Sequence, residues 1–187
     1  GIAESNGVYV ALLDADDLWH PTKLESQVAQ LERSGSPMCV CGYEFFDDRT
    51  RRRIGIIRVD DGSRALRGWL ALEGHGLALA STALIRRQVL DDLRHFDPTF
   101  SISADLDFAL RVDEIGHLDA LPEVLVGYRA HSGQMHRQVH VLAGDMSAVF
   151  DRVFYDGGDP SFERRCRANL AVHIGLAQLL RGRVGAA

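Results

Sequence analysis

Blocks of apolar and polar residues follow one another along the chain in a pattern that predicts an α/β domain. Residues 8–13 form a continuous apolar run between Gly7 and Asp14, as expected for a strand buried on both faces of a sheet. A helix is predicted from Pro21 to Gly35, because its apolar residues recur at helical spacing. Those residues are Leu24, Val28 and Leu31.

The alternation of strands and helices continues to the end of the chain. Strands are predicted at residues 38–46, 54–59, 77–85 and 118–128, the last interrupted by Pro122. Helices are predicted at residues 63–72 with Ser63 as N-cap, and at 86–93, 103–115, 136–155 and 161–182. The strands at 38–46 and 54–59 are close enough in sequence to pair as a hairpin.

Composition narrows the class of protein. The 187 residues are 46% hydrophobic and 25% charged, which excludes a disordered tail or a fibrous repeat. The net charge of −5 disfavours a nucleic-acid partner, and no apolar run approaches the roughly 20 residues that cross a bilayer. The three cysteines are too few for a disulfide framework and indicate reduced thiols, so we expect a cytoplasmic protein.

Three carboxylates follow the first predicted strand within four positions: Asp14, Asp16 and Asp17. Like charges this close repel one another unless a cation lies among them. Ligands of open α/β sheets bind at the carboxyl ends of strands, and Mg²⁺ or Mn²⁺ is held there by one or two carboxylates together with substrate phosphates. The alternative is that these acids only cap the helix that follows.

Three blocks of sequence resemble family 2 glycosyltransferases of the GT-A fold. The first is residues 1–24, in which Leu13-Asp-Ala-Asp-Asp-Leu-Trp19 looks like the family's Asp-X-Asp segment. The second combines Ser81-Thr-Ala-Leu-Ile-Arg-Arg87, Phe96-Asp-Pro98 and Ala104-Asp-Leu-Asp-Phe-Ala-Leu-Arg111. The third, Leu125-Val-Gly-Tyr-Arg-Ala-His131, is similar to the family's Tyr-Arg-X-His ending. The blocks occur in the family's order and cover residues 1–135.

The resemblance implies catalytic and metal-binding roles. Asp14 and Asp16 match the Asp-X-Asp pair, which contacts the divalent metal, Mg²⁺ or Mn²⁺, on the sugar-nucleotide diphosphate. Asp105 matches the general base. The alternative is that Asp105, in the first turn of a predicted helix, only caps that helix. His131 matches a histidine that in some members also binds the metal; a solvent-facing turn is the alternative.

Four further residues are assigned to substrate binding. Trp19 lies where an aromatic ring could flank the sugar or the acceptor. Asp17, Asp107 and Arg129 complete this set, with Arg129 suited to a phosphate. Helix capping for the two aspartates and a structural ion pair for Arg129 are the alternatives.

The resemblance implies metal-dependent, inverting transfer of a sugar from a nucleotide-diphosphate sugar to a hydroxyl acceptor, either a glycan or a lipid-linked compound, as in polysaccharide biosynthesis. Two alternatives remain open. A nucleotidyltransferase also binds Mg²⁺ with acids after a strand, but would need a Gly-rich, lysine-containing phosphate loop. The second alternative is a non-catalytic remnant of this fold that binds glycans or acts as a scaffold. Ala104 favours this alternative, because the family has glutamate at that position.

The implied fold is a GT-A-like mixed sheet flanked by helices that lacks the N-terminal nucleotide-binding βαβα half. We therefore expect residues 1–135 to be the metal- and acceptor-binding part of a transferase domain, and the 187-residue chain to be inactive by itself. Residues 136–187 are expected to form a helical C-terminal extension. Its arginine-bearing helix suits either packing on the domain or peripheral association with the inner face of a membrane.

Overall fold

The computed structural model describes residues 1–74, 76–131 and 138–184, which form a mixed β-sheet with helices on both faces. The strands are β1 (Tyr9–Ala11), β2 (Leu18–Trp19), β3 (Met38–Asp47), β4 (Arg53–Ile57), β5 (Leu84–Arg86) and β6 (Leu118–Ala130). The helices are α1 (Lys23–Ser34), α2 (Gly62–Leu70), α3 (Leu79–Thr82), α4 (Arg87–Asp92), α5 (Ala104–Ile115), α6 (Val139–Val153) and α7 (Pro160–Val184).

The sheet is built around β3, which is apolar over most of its length and is buried from Met38 to Tyr43. The strand order is β1-β5-β3-β6-β2, with β4 paired to β3 as the predicted hairpin. The β3–β6 pair is parallel and the other pairs are antiparallel, so the sheet is mixed, as the resemblance implied.

The predicted interruption at Pro122 is present as an irregularity inside β6. The register between β3 and β6 shifts on both sides of Gly42, opposite the segment that contains Pro122. A Cβ at Gly42 would lie 2.9 Å from the carbonyl oxygens of Glu123 and Ile57. Glycine is therefore required where the strands approach most closely, and β6 continues past the proline to the site described below.

The main hydrophobic core lies between the sheet and helices α2, α5, α6 and α7. Representative buried residues are Met38, Leu66, Phe108, Val112, Met146, Phe150 and Leu170. The opposite face is covered by α1, where Leu31 packs on Cys39 and Leu84. The first half of α7 thus packs on the domain, which is one of the two roles expected for that helix.

Two predicted strands are shorter in the structure. The first covers Tyr9–Ala11 rather than residues 8–13, and Val8 is 73% exposed. Among the described strands β1 pairs only with β5, so it lies at the edge of the described sheet instead of being buried on both faces. Residues 77–85 contain helix α3 before the short strand β5, because a short apolar run does not distinguish a buried helix from a strand.

Two helix details also differ from the sequence prediction. The N-cap of α2 is Asp61, whose carboxylate accepts a hydrogen bond from the Arg64 amide, whereas Ser63 hydrogen-bonds with Asp113. In α1 the buried face carries Lys23 together with Gln27 and Leu31, while Leu24 is 43% exposed. Tertiary hydrogen bonds therefore outweigh the apolar pattern in α1.

The C-terminal helices α6 and α7 were both predicted. Residues 136 and 137, where the first was expected to begin, lie outside the described residues, as does the proposed domain boundary between 135 and 136. No helix in the described part of the chain is both long enough and apolar enough to cross a membrane.

Candidate active site

A cleft of about 830 Å³ opens at the end of the sheet. The wall of the cleft carries Asp14, Asp16, Asp105, Tyr128 and His131, so the structure brings together residues from all three sequence blocks. The rest of the lining is largely apolar and comes mainly from strand β3, from helices α2, α6 and α7 and from the segment before α5.

Strand pairing positions the acidic loop of residues 14–17 on this wall. The loop is followed directly by β2, whose Leu18 and Trp19 pair with Gly127 and Val126 of β6. The end of β6 therefore runs alongside the loop, and the third block faces the first.

Asp17 fixes the loop from inside the protein. Its side chain is buried and accepts hydrogen bonds from Ser81 Oγ at 2.6 Å and from the Arg129 amide at 2.9 Å. The Asp17 amide donates to the carbonyl of Asp14, which closes a tight turn. Burial raises the pKa of Asp17, while these two hydrogen bonds act in the opposite direction. Asp17 is thus a structural anchor, and it is not among the described residues that line the cleft.

Asp14 and Asp16 instead face the cleft. The Asp14 amide donates to Ser81 Oγ, and its carboxyl pKa is raised by desolvation and by the neighbouring charges of Asp17 and Asp16. The Asp16 carboxylate lies 2.8 Å from His131 Nε2, and its carbonyl accepts a hydrogen bond from Arg129 Nε. A cation beside these carboxylates would relieve their mutual repulsion.

The donor set determines which kind of metal site fits. Among the described residues, no three His, Cys, Asp or Glu side chains are grouped closely enough to form a metal site by themselves. Mg²⁺ and Mn²⁺ sites that handle nucleotides need only one or two carboxylates, since phosphate oxygens and water complete the coordination. The pair Asp14 and Asp16 fits such a substrate-completed site, with His131 in contact with Asp16.

Asp105 lies in the first turn of α5 and lines the same cleft. One of its oxygens accepts a hydrogen bond from the Leu106 amide at 2.8 Å. Burial, with a smaller contribution from the charge of Asp14, raises the pKa of Asp105 to about 7. A carboxyl group with this pKa is suited to take up a proton near neutral pH.

Asp107 and Trp19 lie outside the set of described residues that line this cleft. The buried Asp107 carboxylate forms ion pairs with Arg111 at 3.0 Å and with Arg152. Trp19 donates its indole N–H to the Ser81 carbonyl at 2.8 Å and lines a second cavity of about 400 Å³. Both residues therefore have structural contacts that account for their burial.

Arg129 links the loop to its surroundings. Besides its bonds to Asp17 and Asp16, its guanidinium forms an ion pair with Asp48 at 2.8 Å. Arg129 thus forms the structural ion pair that was the alternative to phosphate binding.

A family profile described as Glycosyl transferase family 2 matches residues 1–94. This chain belongs to that family. Similar curated proteins include uncharacterized glycosyltransferases of Rickettsia typhi and Rickettsia prowazekii, each 25% identical over 138 residues. These matches cover 72% of this chain and 43% of either relative, so the chain spans less than half the length of the relatives it matches.

Solved structures of glycosyltransferases share the fold. The mannosyltransferase PcManGT of Pyrobaculum calidifontis, in complex with GDP-Man and Mn²⁺, has a TM-score of 0.56 at 20% identity. It aligns with 100% of this chain and 52% of its own. S. aureus TarS 1–349 in complex with UDP-GlcNAc has a TM-score of 0.54 at 12% identity, covering 80% and 44% of the two chains. The α/β, GT-A-like fold inferred from the sequence is therefore confirmed.

Sequence reasoning missed two residues of this family 2 site. Ser81 joins Asp14 to Asp17, a role that depends on tertiary contacts, and its position in the second sequence block was the available signal for it. Tyr128 lies among the carboxylates on the cleft wall, and burial together with their charges raises its pKa to about 12. Its position within the Tyr-Arg-X-His block was the available signal for Tyr128.

Proposed function

We propose that this protein transfers a sugar from a nucleotide-diphosphate sugar to an acceptor hydroxyl, with a divalent metal and inversion at the anomeric carbon. The observation that carries the proposal is the 2.8 Å contact between Asp16 and His131, on the cleft wall that also holds Asp14 and Asp105. The proposed metal ligands and a carboxyl group of raised pKa thus line one cleft.

The donor and the metal are proposed from the chemistry of this wall. Asp14, Asp16 and His131 would hold Mn²⁺ or Mg²⁺ next to the diphosphate of the donor. A bound divalent cation offsets the negative charge that develops on a departing diphosphate. The complexes of PcManGT with GDP-Man and Mn²⁺ and of TarS with UDP-GlcNAc support a donor of this class.

Asp105 acts as the general base in the proposed reaction. Its carboxylate accepts the proton of the acceptor hydroxyl as that oxygen forms a bond to the anomeric carbon. The bond from this carbon to the diphosphate oxygen breaks in the same displacement, so the configuration inverts. Charge develops in an oxocarbenium-like transition state, and no covalent bond to the enzyme is required.

The acceptor is a glycan or a lipid-linked hydroxyl compound that binds along the apolar part of the cleft. Aromatic and apolar side chains line this part, among them Tyr43, Phe45, Trp69, Phe96 and Leu142. The rings of Phe45 and Tyr128 contact each other edge to face and pack on the buried Tyr43, which fixes an aromatic platform of these two rings beside the carboxylates. Such platforms suit the apolar faces of sugar rings.

We further propose that residues 1–135 form the metal- and acceptor-binding part of the transferase domain.

We also propose that helix α7, in the C-terminal extension, contacts the cytoplasmic face of a membrane. Val172, Leu176 and Leu179 are more than half exposed and recur at helical spacing. The same helix carries the exposed Arg164, whose charge complements anionic lipid headgroups. Co-sedimentation with anionic vesicles tests this contact, and Leu176→Ser is expected to weaken it.

The proposed activity is tested by incubating the purified protein with UDP- and GDP-linked sugars and candidate acceptors. Product formation should require Mn²⁺ or Mg²⁺ and stop when EDTA is added. Proton NMR of the product should show an anomeric configuration opposite to that of the donor. Metal-independent transfer or retention of configuration would contradict the proposed mechanism.

A further inference from the structure

Three consecutive backbone amides before α5 share a single acceptor. The amides of Ser101, Ile102 and Ser103 donate to Asp145 Oδ2 at 2.9, 2.6 and 3.0 Å. Asp145 belongs to α6, more than 40 residues further along the chain. Hydrogen bonds to an ionised carboxylate are stronger than those between neutral groups, so this contact fixes the path of the segment that leads into α5.

Helix α6 also contacts α5 on the C-terminal side of Asp105. Arg152 of α6 forms ion pairs with Asp97 at 2.8 Å and with the buried Asp107, two residues after Asp105. Asp145 therefore holds the backbone just before Asp105, and Arg152 holds a side chain just after it. Met146, next to Asp145, is buried and lines the cleft, which ties this part of α6 to the site itself.

We propose that Asp145 is a positioning residue for Asp105: it holds residues 101–103 so that the Asp105 carboxyl group faces the same cleft as the acidic loop. This inference rests on the proposed function, in which Asp105 is the general base. Ala104 stands where the resemblance has a glutamate, and Asp145 brings a carboxylate to the same helix start from another helix. Helix α6 is then part of the catalytic arrangement.

The matched control is Asp151, the other acidic residue of α6. Its exposed carboxylate pairs with Arg167 of α7 rather than with the start of α5. Asp151→Asn removes the same charge from the same helix, so it separates the positioning effect from a general loss of charge. Asp145→Ala removes the acceptor, whereas Asp145→Asn keeps the size of the side chain and supplies a variant that folds if the alanine variant does not.

Two NMR measurements test the positioning without requiring turnover. In Asp145→Asn and Asp145→Ala, amide hydrogen exchange at residues 101–103 should be at least about tenfold faster than in the wild type, and the carboxyl ¹³C resonance of Asp105 should move. Asp151→Asn should leave both unchanged. Wild-type exchange rates and an unmoved Asp105 resonance in both Asp145 variants would overturn the proposal.

Kinetics then link the positioning to the reaction. The Asp145 variants should lower kcat by about 10- to 100-fold while the donor KM changes by less than about twofold. Equal effects of Asp145→Asn and Asp151→Asn on kcat would overturn the proposal. If the wild type shows no transfer, the proposed function fails, and the two NMR measurements still decide whether Asp145 positions Asp105.

Discussion

His131 Nε2 lies 2.8 Å from Asp16 Oδ2, although the two residues are 115 positions apart in the chain. The contact arises because β2, directly after the acidic loop, pairs with the end of β6, directly before His131. Sheet pairing thus joins two sequence motifs into one candidate metal site.

The role of Asp105 as base predicts a separation of binding from turnover. Asp105→Asn keeps the shape of the side chain but removes its ability to accept a proton. We expect turnover to fall at least about 100-fold, while donor affinity measured by calorimetry stays within about threefold. The control is Asp92→Asn, an exposed carboxylate at the end of α4, which should keep wild-type turnover. Substantial activity in Asp105→Asn would assign the base to another group.

The raised pKa of Asp105 also predicts a pH-dependent cost in stability. Between its ordinary value of 3.8 and about 7, the folded protein holds this proton more tightly than the unfolded chain does. Its contribution to the free energy of unfolding therefore falls as pH rises through this window. Urea denaturation should show Asp105→Asn to be more stable than the wild type at pH 8, by about 2 kcal/mol, with a smaller difference at pH 5. An equal difference at the two pH values would contradict the raised pKa.

Ser81 is expected to support both the fold and the metal site. Its buried hydroxyl accepts a hydrogen bond from the Asp14 amide and donates one to Asp17. Ser81→Ala leaves both groups without this partner, so we expect a loss of about 1–3 kcal/mol in the free energy of unfolding and an Mn²⁺ affinity about tenfold weaker. Ser147→Ala, which removes an exposed hydroxyl on α6, should cost less than about 0.5 kcal/mol and leave Mn²⁺ affinity unchanged.

Asp107 is expected to act on stability rather than on donor binding. Its buried carboxylate pairs with Arg111 and Arg152, and Asp107→Asn would leave both guanidinium groups without their common counter-charge. We expect a loss of about 3 kcal/mol in the free energy of unfolding and an unchanged donor affinity. The matched control, Glu114→Gln on the exposed face of α5, should change stability by less than about 0.5 kcal/mol. Weaker donor binding in a stable Asp107→Asn variant would restore the substrate-binding role.

Local patterns in the sequence were sufficient for several elements. The hairpin of β3 and β4 followed from two apolar runs that are close in sequence, and α5 ends at Ile115 as predicted. The order of the three motif blocks was sufficient for the fold and the family. These features depend on residues that are close together in sequence or on motifs that are specific as a set.

Features that depend on distant contacts could not be predicted. Lys23 is buried because its ammonium group bonds to Gln27 and lies over the Trp19 ring, contacts that no helical pattern of apolar residues indicates. Asp105 and Asp107 look equivalent in sequence, yet one lines the cleft and the other pairs with two arginines. Such carboxylates are distinguished only by their neighbours in the folded chain.

The most direct test of the account is calorimetric titration of the purified protein with UDP and with GDP, each with and without Mn²⁺. We predict that Mn²⁺ strengthens the binding of one nucleotide at least about tenfold and that Asp16→Asn removes this effect, because its amide no longer supplies an anionic oxygen to the cation. Nucleotide binding that is independent of Mn²⁺, or equally metal-dependent in Asp16→Asn, would contradict the assignment of the acidic loop as the metal site.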